Sequence, residues 1–92
     1  MVTAFVQIKT AGRKPSAVAQ QVISIDGVAE VYSISGDWDV LAVLRLATYE
    51  QIAEVVPEKI AVVPGVASTT TILAFRAYTA GELAAAFDIG LS

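Results

Sequence analysis

Apolar side chains take every second position at the start of the chain. Val2, Ala4, Val6 and Ile8 alternate with Thr3, Phe5 and Gln7. A period of two belongs to a strand with unlike faces, so this segment predicts a first strand. Residues 11–14, with Gly12 beside the cations Arg13 and Lys14, read as a loop. Pro15 suits the opening turn of a helix, where its missing N–H costs nothing. Val18, Val22 and Ile25 then recur at helical spacing. Asp26 and Gly27 end that helix, with Gly27 supplying a left-handed cap. Residues 28–35 are rich in β-formers, Gly36-Asp37-Trp38-Asp39 is a tight connection, and Val40–Leu46 completes a hairpin. Thr48 with Gln51 fits a capping box that starts a second helix. Ile52, Val55, Val56 and Ile60 share one face of it. Pro57 lies inside that pattern and is expected to kink or split the helix, which Pro64-Gly65 ends. Residues 66–75 form the last strand. Leu83 and Phe87, four apart, predict a short terminal helix.

The order β-α-β-β-α-β predicts an α+β, ferredoxin-like fold: a four-stranded antiparallel sheet with two helices on one face. A weak internal echo agrees with it, since Asp26-Gly27-Val28-Ala29 and Pro64-Gly65-Val66-Ala67 both turn a helix into a strand. Residues 1–76 form this domain, and residues 77–92 form a tail. The third strand, Val-Leu-Ala-Val-Leu, does not alternate, and the last strand continues Ile72-Leu73-Ala74-Phe75. A sheet wetted on one face should alternate. Two helices cover only one face, so a homodimer with sheets facing is expected.

Composition narrows the function. Hydrophobic residues make up 55% of the 92 and charged ones 16%. That excludes a disordered chain and leaves apolar surface for a subunit interface. Six basic against nine acidic residues give a net charge of −3, which argues against direct DNA binding. The sequence has no cysteine and no histidine. Disulfides, zinc, haem and copper sites and histidine-dependent catalysis are thereby excluded, so no metal, no cofactor and no enzyme activity are expected. No signal peptide and no run of transmembrane length stands out, so a cytoplasmic location with no membrane role is the default.

Gly36-Asp37-Trp38-Asp39 is the most pointed motif. It can be a solubilising turn in which an Asp caps backbone N–H groups. It can also be a ligand site: a carboxylate holds an ammonium group, turn N–H groups hold a carboxylate, and Trp38 walls a side-chain pocket. Such a set suits an α-amino acid. Trp38 can equally anchor an interface. Thr69-Thr70-Thr71 are good β-formers whose hydroxyls could meet the turn across subunits. Arg45 and Arg76 are expected to pair with acids such as Glu30 or Glu54.

The stretch from Gly27 to Asp39, with Gly27-Val28, Glu30, Gly36 and Asp39 at its marked positions, resembles the Lrp/AsnC (feast/famine) regulators. Val40-Leu41-Ala42-Val43 is similar to the strand that follows in that family. Pro64-Gly65-Val66 with Thr69 and Thr71 resembles its signature before the last strand. The resemblance covers about residues 2–76. It implies the family's effector-binding module (RAM, or SARD when it stands alone), sheet-to-sheet dimers that associate into octamer-like rings, and amino-acid effectors bound between dimers. By position it points to Gly36, Asp37, Trp38, Asp39, Thr69 and Thr71 as ligand-binding residues. Trp38 fills a variable position and bears on which ligand fits. The family's helix-turn-helix has no room before the first strand, so a stand-alone module is expected, sensing an amino acid or co-assembling with full-length regulators. Asp39→Ala is expected to abolish binding and leave the dimer folded. An ACT-like regulatory module with its site at Gly12, a small dimeric α+β-barrel enzyme, and a ligand-free oligomerisation module stand as alternatives.

Overall fold

Alternation along the first strand sorts its side chains between two environments. In the computed structural model, which describes residues 1–81, Val2–Thr10 forms β1. Ala4, Val6 and Ile8 are fully buried, while Thr3, Phe5 and Gln7 are half-buried on the opposite face. Pro15–Val22 forms α1, with Pro15 in its first turn. Val28–Ser33 is β2 and Val40–Leu46 is β3. Glu50–Val55 is α2, which passes into a π-helical turn, Val56–Ile60. Val66–Leu73 is β4. The strands form one antiparallel sheet in the order β2-β3-β1-β4. This is the expected ferredoxin-like α+β arrangement.

Pair partners in an antiparallel sheet project to the same face. Val6 opposes Ala42 and Thr71, and Ile8 opposes Val40 and Thr69. This inner face packs on Val18 and Val22 of α1 and on Val55, Val56 and Ile60 of the second helical segment. Both helical segments therefore cover one face. The outer face carries Thr3, Phe5 and Gln7, with Leu41, Val43 and Arg45 across on β3, Glu30 and Tyr32 on β2, and Thr70 and Ile72 on β4. Tyr32 and Ile72 are about half exposed.

Several element ends differ from the sequence expectation. α1 stops at Val22, short of Ile25. The Ser24 and Ile25 N–H groups bond three residues back to the Gln21 and Val22 carbonyls, which tightens the exit. Gly27 does take the left-handed conformation (φ 95°). β2 ends at Ser33, two residues early, where the Ile34 N–H donates to the Asp39 carbonyl and closes the connection. Pro57 splits the second helix: its ring nitrogen cannot donate, and Ala61 instead donates to Val56 five residues back. Regular helix therefore ends before Pro64-Gly65. β4 stops at Leu73, which pairs with Ala4, although the Ala74 N–H still reaches the Thr3 carbonyl. Phe75 is 92% exposed. The terminal helix expected around Leu83 and Phe87 lies outside the described residues.

Candidate functional site

The connection between β2 and β3 is built around Asp39. Gly36 (φ 99°) turns the chain in a region that side-chain-bearing residues avoid. The Asp39 N–H donates to the Ile8 carbonyl (3.0 Å) and its carbonyl accepts from Ile34 (3.1 Å), so its backbone is tied on both sides. Its carboxylate oxygen Oδ2 accepts the Thr10 backbone N–H (2.8 Å) and the Thr10 hydroxyl (3.1 Å). The backbone N–H of Thr10, foremost, holds the Asp39 carboxyl below the usual carboxylate range, assisted by the Thr10 hydroxyl and the charge of Lys9. Lys9 reaches from the outer face, and its ammonium donates to the Asp37 carbonyl (2.6 Å).

The loop is thus fastened to the end of β1. Asp37 and Gly36 are exposed at its tip, and Trp38 and Asp39 are half-buried. Asp39 is half-buried and caps the Thr10 backbone N–H, so Asp39→Ala, expected from the sequence to leave the fold untouched, also loosens the loop. Lys9 and Thr10 are the participants that sequence reasoning missed. They lie 28 and 29 positions from their partners, and no local spacing marks them.

Thr69 and Thr71 sit on β4 beside Ile8 and Val6, half-buried on the helix-facing side. Ile8 has Val40 on its other flank, which puts Thr69 two strands from the loop's exit, about 10 Å across the sheet. Within one chain, then, the loop contacts Thr10 and Lys9, and β1 separates it from the threonine pair. Arg45 pairs with Glu30 (3.1 Å), as expected. Tyr32 also donates to Glu30, and that bond, ahead of Arg45, lowers the Glu30 pKa. Glu54 faces Lys59 instead (3.9 Å). Arg76 lies over the Tyr78 ring, 5.5 Å from its centroid.

Chemically, the loop offers groups of both signs within one small patch. The second Asp39 oxygen and the Asp37 carboxylate can accept from an ammonium group. An ammonium such as that of Lys9 carries three donors, and the bond to Asp37 uses one. Among the described residues no cluster of His, Cys, Asp or Glu could hold a metal ion. Nor is any helix there long and apolar enough to cross a membrane.

Comparison with known proteins agrees with this architecture. Residues 3–83 match the family model described as Lrp/AsnC ligand binding domain. An uncharacterized HTH-type transcriptional regulator of Pyrococcus furiosus is 38% identical over 76 residues, covering 79% of this chain and 51% of the relative. The chain thus spans about half the length of the curated relatives it matches. A protein of Thermus thermophilus with a known crystal structure is 42% identical, with a TM-score of 0.80 over 86% of this chain and 99% of that one. A feast or famine regulatory protein from M. tuberculosis, solved in complex with L-methionine, shares the fold at 18% identity (TM-score 0.74, 87% of this chain and 54% of that one).

Proposed function

Because the chain belongs to the family of Lrp/AsnC ligand-binding domains, we propose that it binds an α-amino acid as a regulatory effector at the Gly36–Asp39 loop. The observation that carries this reading is the clamped loop itself. Asp39 is held by Thr10, and Lys9 and Asp37 present opposite charges beside the half-buried Trp38. A zwitterion needs an acceptor for its ammonium and a donor for its carboxylate, a short distance apart, and this loop has both. The L-methionine complex of the M. tuberculosis relative supports the ligand class.

Thr69 and Thr71 join the site when a second copy is brought against the loop. In this reading the outer sheet face, with Phe5, Leu41, Val43 and Ile72, forms the dimer, and dimers associate further with the effector between them. The domain acts in the cytoplasm as a sensor, and ligand occupancy or co-assembly with longer regulators carries the signal. Catalysis plays no part.

Thermal shift against the twenty amino acids tests the proposal. A ligand that binds only the folded state at a hundredfold excess over its Kd stabilises by about 2.7 kcal/mol, a shift of several degrees. One amino acid or one side-chain class is expected to raise Tm. Asp37→Asn is expected to weaken that response without changing the unliganded Tm. A flat response to all twenty, in protein that unfolds cooperatively, would overturn the reading.

A further inference from the structure

A bulge in β2 decides which of its side chains reach the outer face of the sheet. Val28 opposes Leu44, but Glu30 opposes Val43, so two steps along β2 match one along β3 and Ala29 is the extra residue. Without the bulge Glu30 would oppose Ala42, which is fully buried, and point into the core. Val31 takes that place instead. Glu30 and Tyr32 are thereby turned to the outer face, with Tyr32 opposite Leu41. Arg45 stands on the same face, two residues beyond Val43.

The three groups close on one another. Arg45 donates from one guanidinium nitrogen to Glu30 Oε1 (3.1 Å), and the Tyr32 hydroxyl donates to Glu30 Oε2. Each carboxylate oxygen thus has a donor, and the two charges cancel within one protomer. Within the four strands the one other charge on this face is Lys9, which turns to the Asp37 carbonyl at the loop end. The apolar part of the face is Phe5, Leu41, Val43 and Ile72.

In an isolated protomer this network has little to do. The Arg45 and Glu30 side chains are 46% and 43% exposed, and an ion pair in contact with water contributes little. Under a second sheet the same groups lose their water, and a charge left there without a partner is costly. A two-fold interface also presents the same patch from both sides. A face with an uncancelled charge would bring two like charges into one interface, and a face that cancels its own does not.

We propose that Glu30, Tyr32 and Arg45 act as one unit in the contact with a second copy of this chain, and that the outer face accepts a partner sheet only while the unit is complete. The proposal rests on the reading that this face forms the dimer.

Sedimentation velocity over a concentration series tests it, with far-UV circular dichroism to check that each variant keeps the fold. Arg45→Met strands Glu30, and it is expected to raise the dimer dissociation constant by more than about a hundredfold while the spectrum stays native. Glu30→Leu, Tyr32→Phe and Arg45→Met together remove every polar group of the unit. That triple variant is expected to return to within about tenfold of the wild type. Arg13→Gln removes one cation from an exposed loop, and its dimer is expected to match the wild type. Ile72→Glu reports on the face itself. If Ile72→Glu is monomeric and Arg45→Met dimerises like the wild type, the face is right and the unit is wrong. A triple variant as weak as Arg45→Met, or an equal loss in Arg13→Gln, also overturns the proposal. A wild-type protein that is monomeric throughout removes the dimer reading, and this proposal with it.

Discussion

Asp39 carries more of the local structure than any other polar side chain in the loop. Its carboxylate gathers the backbone N–H and the hydroxyl of Thr10, two groups that would otherwise be left at a strand end. Those bonds favour the charged form and depress its pKa, the backbone N–H most of all. A group whose folded pKa lies below its unfolded value stabilises the fold fully above the unfolded pKa. That stabilisation is lost as pH falls through the folded pKa. Asn at this position keeps an acceptor for Thr10 and removes only the charge. The Tm advantage of the wild type over Asp39→Asn is therefore expected to be level from neutral pH to about pH 5 and to shrink below the ordinary Asp pKa of about 3.9. Melting curves at stepped pH read this directly, and a gap that persists unchanged into acid would remove the clamp. At this scale the sequence was only half informative. A Gly with two Asp residues marks a turn by its chemistry, but a partner 29 positions away leaves no local trace.

Elements were more legible than their ends. Hydrophobic spacing located β1 and both helices, because burial on one face imposes a period that survives in the residue order, and β-forming residues between turn signals located the other three strands. The ends answer to partners instead. β2 stops where Ile34 closes on Asp39. The second helix is the instructive case. Pro57 predicts a kink or a split, and the structure resolves the choice: α2 gives way to a π-helical turn, and Ile60 is delivered fully buried. Gln51 supports the start of α2 by accepting from Ala47 (2.7 Å) and Thr48 (3.1 Å), which is one arm of the expected capping box. If the turn exists to seat Ile60, then Ile60→Ala leaves a cavity under the sheet. The expected loss is about 2–5 kcal/mol, measured as a lower urea midpoint at unchanged slope. A loss below about 1 kcal/mol would show that the π-helical turn adds little to the core.

The whole molecule is a one-sided sandwich. Among the described residues, every fully buried side chain belongs to the layer between sheet and helices, while the outer face keeps Phe5, Leu41, Tyr32 and Ile72 at its surface. Glu30, Tyr32 and Arg45 satisfy one another on that face, so a partner sheet could cover it without stranding a charge. Ile72 is opposite Phe5 and 46% exposed. Ile72→Glu is accordingly expected to shift the protein toward monomer in sizing with light scattering while the circular dichroism spectrum stays native. A dimer unaffected by this charge would place the interface elsewhere. By itself the sequence determined the strand and helix order, the two unlike faces of β1 and the family signature, all of which rest on periods and local turn chemistry. Only the tertiary structure decided that Asp39 is spent on Thr10, that Lys9 joins the loop and that Thr69 stands across β1 from it. These are contacts between residues far apart in the chain, set by sheet register, and register is fixed by the packing of the whole face.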